Sequence, residues 1–284
     1  MKKIAYLIAI TFLSARLCFA YPMPKPFPPF RIAGNLYYIG TDDLASYLIV
    51  TPQGNILINS DLEANVPMIK ASIEKLGFKY SDTKILLISH AHLDHAAGSK
   101  LIQQETQAKY MVMDADAPLV QSGGKSDFHY ANDPDMYFPP STVDRVLHDG
   151  DQVKLGGTVL TAHLTAGHTK GCTTWTMQVT DHSKTYQVVI VGSLNVNPGY
   201  KLTHNKAYPH IALDYEHAIK KLKSLPCDIF LGAHAIYFDL QKKYSLLNTN
   251  ANNPFLDLTG YKKHIAQKEQ EFYEELKKQE AASI

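Results

Sequence analysis

Between residues 35 and 59 the apolar and polar positions fall into short blocks. Asn35 to Gly40, Ser46 to Thr51 and Asn55 to Asn59 are rich in β-branched and aromatic side chains, and Gly40 and Pro52-Gln53-Gly54 interrupt them. This pattern predicts antiparallel strands joined by tight turns. The period then changes: Val66, Ile69, Ile73 and Leu76 recur at intervals of 3, 4 and 3 residues, between Asn65 as a cap and Gly77 as a stop. That spacing predicts an amphipathic helix. Lys84 to Ser89 is so uniformly apolar that a strand buried on both faces is expected. A helix from Ala96 to about Glu105 and a strand from Lys109 to Asp114 complete an alternating β/α half.

After a glycine-bearing loop from Ser122 to Pro134 the pattern restarts. Strands are predicted at Asp144 to His148, Gln152 to Leu155, Thr158 to Leu164, Thr173 to Val179 and Tyr186 to Gly192. A helix carrying Tyr215, Ala218, Ile219, Leu222 and Leu225 comes next, then a short apolar strand, Asp228 to Leu231. A terminal helix places Ile265, Phe272 and Leu276 on one face. Trp175 reads as core. Two halves of this kind predict an α/β fold in which two sheets pack together with helices outside.

The ends of the chain change the picture. Lys2 and Lys3, an apolar run from Ile4 to Leu13 and the close at Cys18-Phe19-Ala20 read as a secretory signal over residues 1–20. A membrane anchor is the rival reading, but the run is shorter than the roughly 20 residues a span requires, and Arg16 stops it from extending. Tyr21 to Arg31 is proline-rich and reads as an extended arm with little regular structure. Removing three cations turns the net charge of +1 into 1 − 3 = −2 for residues 21–284. So small a charge offers no general attraction for nucleic acid, and nothing in the mature chain is apolar enough to anchor it in a bilayer. One large domain is expected over residues 21–284, as a monomer, exported to the periplasm. Cys172 and Cys227 are the only cysteines after the signal, and a bridge between them and two buried thiols are equally compatible with export.

Chemistry concentrates where Lys84 to Ser89 ends. His90-Ala91-His92-Leu93-Asp94-His95 packs three imidazoles and a carboxylate into six positions, ahead of Gly98 and a helix. These are ligands zinc accepts, and a density this high at a strand mouth is unlike a histidine-rich surface loop that binds nothing. Gly167-His168-Thr169-Lys170-Gly171 and Gly232-Ala233-His234 also come after predicted strands. The other eight histidines lack such context and are read as non-ligands.

The combination of His-x-His-x-Asp-His-x-x-Gly, Gly-His-Thr-x-Gly and a late Gly-x-His resembles the metallo-β-lactamase superfamily, over essentially the whole mature chain. In detail it is similar to the third subclass of class B β-lactamases, which hold two metals without cysteine. The resemblance implies a four-layer αβ/βα sandwich and two Zn2+ per chain. His90, His92 and His168 would bind the first zinc, and Asp94, His95 and His234 the second. Three protein ligands per metal and an open position imply a catalytic site, with a water deprotonated between two cations. The implied activity is hydrolysis of β-lactam antibiotics (penicillins, cephalosporins and carbapenems), which confers resistance. Asp94 would both hold metal and orient the attacking water.

One position separates this reading from its rivals. Lactonases and thioester hydrolases of the same superfamily carry a Gly-Asp pair after a buried strand, whereas here Gly192-Ser193 offers no carboxylate. Ser193 also differs from the cysteine of another β-lactamase subclass. By resemblance Ser193, Asn195, Asn197 and Tyr200 line the substrate cleft, where hydroxyl and amide groups would hold the β-lactam carboxylate; an ordinary Asn/Pro/Gly turn is the structural alternative. Ser122 to Tyr130 would form the opposite rim, with Phe128 and Tyr130 as its wall. Relatives in this subclass tie the region of Cys227 to the start of the terminal helix by a disulfide; Gly260-Tyr261-Lys262 has no cysteine, so that helix is expected to be held by packing alone. The remaining alternatives are a dizinc lactonase or thioester hydrolase, and a metal-binding protein without turnover.

Overall fold

The computed structural model describes residues 24–247, 249 and 252–282; the signal read from residues 1–20 lies outside them. Seven strands form the first sheet in chain order: β1 (Phe30–Ala33), β2 (Leu36–Tyr38), β3 (Tyr47–Thr51), β4 (Gly54–Ile58), β5 (Thr83–Leu87), β6 (Lys109–Met113) and β7 (Arg145–Leu147). The hairpins β1 to β4 are antiparallel, and β4 to β7 run parallel. The parallel part needs crossovers, which α1 (Val66–Lys75) and, after the short α2 (Leu93–Ala96), α3 (Ser99–Thr106) supply; α4 (Ala117–Ser122) comes after β6. The second sheet has the order β12-β11-β10-β9-β8, built from β8 (Gln152–Leu155), β9 (Thr158–Leu164), β10 (Thr173–Asp181), β11 (Lys184–Val191) and β12 (Ile229–Gly232). Helix α5 (Ile211–Ser224) crosses from β11 to its parallel neighbour β12, and α6 (Leu240–Leu246) and α7 (Leu258–Ala281) close the described chain.

Alternation along the first sheet decides the layers. Leu48, Leu57, Leu86, Tyr110 and Val112 pack with Val66, Ile69, Ile73 and Ile102 of the helices, while Tyr47, Ile49, Ile56, Ile58, Ile85 and Leu87 join the second sheet's Leu160, Trp175 and Met177. Period-two side chains facing opposite ways give this division. Val188 to Val191 are all buried because β11 is covered on both faces, by the first sheet and by Tyr215, Ala218, Ile219 and Phe272 of α5 and α7. The expected sandwich of two sheets with helices outside is thus present. No described helix is long and apolar enough to cross a membrane.

Four local readings change. Phe30–Ala33 is a strand inside what reads as an irregular arm, because Phe30, Ile32 and Ala33 bury against the inter-sheet core. The strand at Asp144 to His148 does not open the second sheet; it adds to the first as β7, parallel to β6 through Met111↔Arg145 and Met113↔Leu147. Asn65 does not cap α1 with its side chain, which instead donates to Asp61 Oδ1 at 3.0 Å. Nor is the terminal helix held by packing alone. Lys243 Nζ lies 2.8 Å from Asp257 Oδ2 and 5.5 to 6.0 Å from the ring centres of Phe230, Phe255 and Phe238, and Asp257 Oδ1 accepts the Gly260 N–H that opens α7. Cys172 and Cys227 are free and buried, and burial pushes both thiols up to about 12.

Candidate metal centre

Every segment that bears a candidate ligand leaves the end of a strand and is fixed by buried hydrogen bonds. Asn59 receives the Ser89 N–H and hydroxyl at 2.8 and 2.9 Å, and Trp175 Nε1 donates to Ile88 O at 2.9 Å. The exit of β5 is therefore held from both sides just before His90. Asp116, only 1% exposed, accepts from Ala91 N (2.9 Å), Thr169 Oγ1 (2.8 Å) and Gly171 N (2.7 Å). One carboxylate thereby joins the His90–His92 segment to the turn that carries His168. Burial pushes its carboxyl up despite those three donors. The motif glycines have steric reasons: a Cβ on Gly98 would stand 2.4 Å from Ser60 O, and one on Gly167, whose φ is +134°, 2.7 Å from the Tyr215 ring. Ala45 N donates to Ala233 O and Ala235 N to Asp43 O, which seats the His234 turn against residues 41–45.

These supports bring all six candidate ligands together in two groups. His90, His92 and His168 place ligand atoms within 4.8 Å of one another, with His92 Nδ1 and His168 Nε2 3.1 Å apart. Asp94, His95 and His234 meet as closely: His95 Nε2 is 3.2 Å from His234 Nε2 and 3.3 Å from Asp94 Oδ2, which is 3.6 Å from His234 Nε2. His90 lies between the groups, also within 4.8 Å of Asp94 and His95. Tetrahedral zinc with nitrogens at 2.0–2.1 Å separates its ligand atoms by about 3.3 Å, so these spacings fit the ion. The protonation chemistry fits as well, since metal needs deprotonated ligands. Burial first, and neighbouring imidazoles second, hold His90 and His168 well below the usual histidine range. Burial works against ionisation of Asp94, but His95 and His234 beside it keep its carboxyl low. His234 is the exception and opposes deprotonation: Asp43 and Asp94 outweigh its burial and raise it. The eight histidines read as non-ligands fall in neither group.

The candidate substrate strip lies beside the first group, and several of its polar atoms are occupied. Ser193 is buried, its Oγ accepting from Asn195 N at 3.2 Å and lying 3.3 Å from Tyr237 OH. Asn195 Nδ2 donates to Tyr237 OH at 2.8 Å, Asn197 Nδ2 to Tyr130 OH at 3.0 Å, and Tyr200 OH to His168 O at 2.9 Å. The Asn195 carbonyl accepts from Tyr215 OH and pairs with His168 Nδ1 at 2.7 and 2.8 Å. Across from it, the Tyr130 ring stands 5.5 Å from His92, and Phe128 packs 4.9 Å from Tyr200. Cys172 does not point at the cluster; its Sγ donates to Ser193 O.

A family model described as metallo-beta-lactamase superfamily matches residues 40–234. The chain belongs to the metallo-β-lactamase superfamily. Among metallo-β-lactamases of known structure it is 74% identical to native FEZ-1 from Legionella gormanii, over 92% of this chain and 99% of that one, with a TM-score of 0.91. It is 37% identical to BJP-1 of Bradyrhizobium japonicum, a subclass B3 metallo-β-lactamase, over 92% and 98% of the two chains, with a TM-score of 0.86. A third metallo-β-lactamase, from Cronobacter sakazakii, is 36% identical over 91% and 97%, with a TM-score of 0.86, and has a HARLDQ motif. This chain carries the run His90-Ala91-His92-Leu93-Asp94-His95.

Sequence reasoning did not find Asp43, Asp116, Asp127 or Tyr237. Asp127 lies in the loop read as a rim, yet its Oδ2 faces His92 Nε2 at 3.6 Å; burial works against its ionisation, but His92 keeps the carboxyl low. Asp43 pairs with His234 Nδ1 at 3.3 Å, and that contact lowers its carboxyl. Single aspartates in loops give no local signal, and only the fold reveals what they touch.

Proposed function

We propose that the chain is an exported, monomeric zinc β-lactamase that opens the cyclic amide of penicillins, cephalosporins and carbapenems and so confers antibiotic resistance. The observation that carries this reading is a complete donor set, three imidazoles beside two imidazoles and a carboxylate, in a chain 74% identical to a metallo-β-lactamase. Lys2 and Lys3, the apolar run and Ala20 support export to the periplasm, with residues 21–284 as the mature domain.

His90, His92 and His168 would hold one zinc, and Asp94, His95 and His234 the other. When bound, the two ions supply Lewis acidity that acidifies a water and polarises an amide carbonyl. Asp94 stays ionised, and its side chain is 35% exposed, so the carboxylate remains able to accept a hydrogen bond from the attacking water and to orient it. Ser193, Asn195, Asn197 and Tyr200 shape the strip that faces the substrate carboxylate; the two amide Nδ2 groups are its donors. A serine nucleophile is disfavoured because Ser193 Oγ meets Tyr237 OH and Asn195 N, neither of which is a base that activates a hydroxyl. Purified protein should hydrolyse a chromogenic cephalosporin, lose that activity to a chelator, and prefer it to lactone and thioester substrates. A preference for the lactone or thioester, or a covalent acyl adduct seen by mass spectrometry, would overturn the reading.

A further inference from the structure

Two imidazoles at the outer ends of the cluster present opposite nitrogens to it. His92 turns Nδ1 inward, 3.1 Å from His168 Nε2, and leaves Nε2 facing away. His234 turns Nε2 inward, 3.2 Å from His95 Nε2, and leaves Nδ1 facing away. Each outward nitrogen meets a carboxylate from a loop that carries none of the six ligands: Asp127 Oδ2 stands 3.6 Å from His92 Nε2, and Asp43 Oδ1 stands 3.3 Å from His234 Nδ1. Both aspartates are anchored by main-chain N–H donors. Asp127 Oδ1 accepts from His129 N and Tyr130 N at 2.6 and 2.7 Å, and the Asp43 carbonyl accepts from Ala235 N at 2.6 Å. Asp127 Oδ2 and His92 Nε2 are both buried and have no hydrogen-bond partner. Two such atoms facing each other are satisfied together only when the imidazole proton sits on Nε2.

We infer that Asp127 and Asp43 are positioning residues, one for each metal group, which set opposite tautomers: Asp127 keeps the His92 proton on Nε2 and frees Nδ1, and Asp43 keeps the His234 proton on Nδ1 and frees Nε2. The inference rests on the zinc reading above. Its physical content is that an imidazole in the wrong tautomer presents N–H rather than a lone pair, so the carboxylate removes a proton rearrangement from metal binding and fixes the ring plane. Each carboxylate touches only one group, so the two sites should be separable.

The test uses stepwise zinc affinities from competition with a chromophoric chelator, the steps being assigned with His168→Ala and His234→Ala. Asp127→Asn keeps the carbonyl that receives His129 N and Tyr130 N but turns an amide NH2 toward His92 Nε2, which selects the wrong tautomer. It should weaken the first group about 10–100-fold and leave the second within about threefold. Asp43→Ala should do the reverse, and Asp43→Asn, which retains an acceptor, should recover most of the loss. In metal-free wild-type protein, nitrogen-15 spectra should show His92 protonated at Nε2 and His234 at Nδ1. The inference is overturned if both substitutions weaken both ions alike, if neither changes either step, or if the spectra show the opposite tautomers. Wild-type protein that binds fewer than two zinc ions would sink the zinc reading and this inference with it; two ions and unmoved variants would sink this inference alone.

Discussion

Asp116→Asn tests whether the metal centre is assembled by the fold before any ion arrives. Asp116 Oδ2 receives Ala91 N and Thr169 Oγ1, and Oδ1 receives Gly171 N. An asparagine that keeps its carbonyl toward Ala91 and Thr169 must set its NH2 against the Gly171 N–H, a donor facing a donor across 2.7 Å. The substitution thus loses one hydrogen bond to a charged acceptor, worth about 1.5–3 kcal/mol, and leaves a buried N–H unsatisfied at about 1–3 kcal/mol. Burial opposes the ionised carboxylate, and the neutral amide recovers part of that penalty, so a net loss of about 3 kcal/mol is expected. Urea unfolding of metal-free protein reads the loss as a lower midpoint at unchanged slope. Zinc affinity of the His90, His92 and His168 group should fall about tenfold, because the turn that carries His168 keeps its tie at Thr169 but is released at Gly171. A variant within about 1 kcal/mol of wild type and with unchanged zinc affinity would refute the reasoning.

Asp94→Ala should abolish kcat, whereas Ser193→Ala, which removes the acceptor of Asn195 N and loosens the amide that faces the substrate, should mainly raise KM; steady-state hydrolysis of a cephalosporin by both variants distinguishes a reacting group from one that positions a binding group. Lys243→Met, which leaves Asp257 without its cation and the rings of Phe230, Phe238 and Phe255 without theirs, should cost about 2–4 kcal/mol in urea unfolding while kcat is unchanged; an unaltered midpoint would contradict the tether. Asp61 is fully buried, and burial pushes its carboxyl up to about 7. Folded protein therefore holds a proton that the unfolded chain releases near pH 4, and its stability falls as pH rises from about 4 to about 7. Asp61→Asn keeps an acceptor for Leu62 N and Asn65 Nδ2 and should stabilise metal-free protein by up to about 4 kcal/mol at pH 8, with the gain shrinking toward pH 4. An equal gain at both pH values would contradict the assignment.

The parts of this molecule that were legible in the sequence are those written in neighbouring residues. The period of β3 to β5 and the spacing in α1 are local, and so is the run of imidazoles after Ser89. What was illegible depends on distant partners. Phe30–Ala33 is hidden among prolines and becomes a strand only because β2 and the inter-sheet core are there to receive it. β7 carries no mark of which sheet it will join, and β6 decides that. Helix α4 is six residues long, with a proline at its start, too short to show a period. Asp116 reaches residues 25, 53 and 55 positions away, and its meaning as a tie between two ligand-bearing turns exists only after folding. The terminal helix shows the same limit: Lys243 reads as one more surface lysine until the fold surrounds it with aromatic rings.

The most direct test of the central claim is to strip the protein with a chelator and return zinc in measured amounts, monitoring bound metal and hydrolysis of a β-lactam together. Stripped protein should be inactive, two zinc ions should bind per chain, and hydrolysis should return as they bind. Hydrolysis by protein shown to be free of metal, or one ion bound at saturating zinc, would contradict that claim.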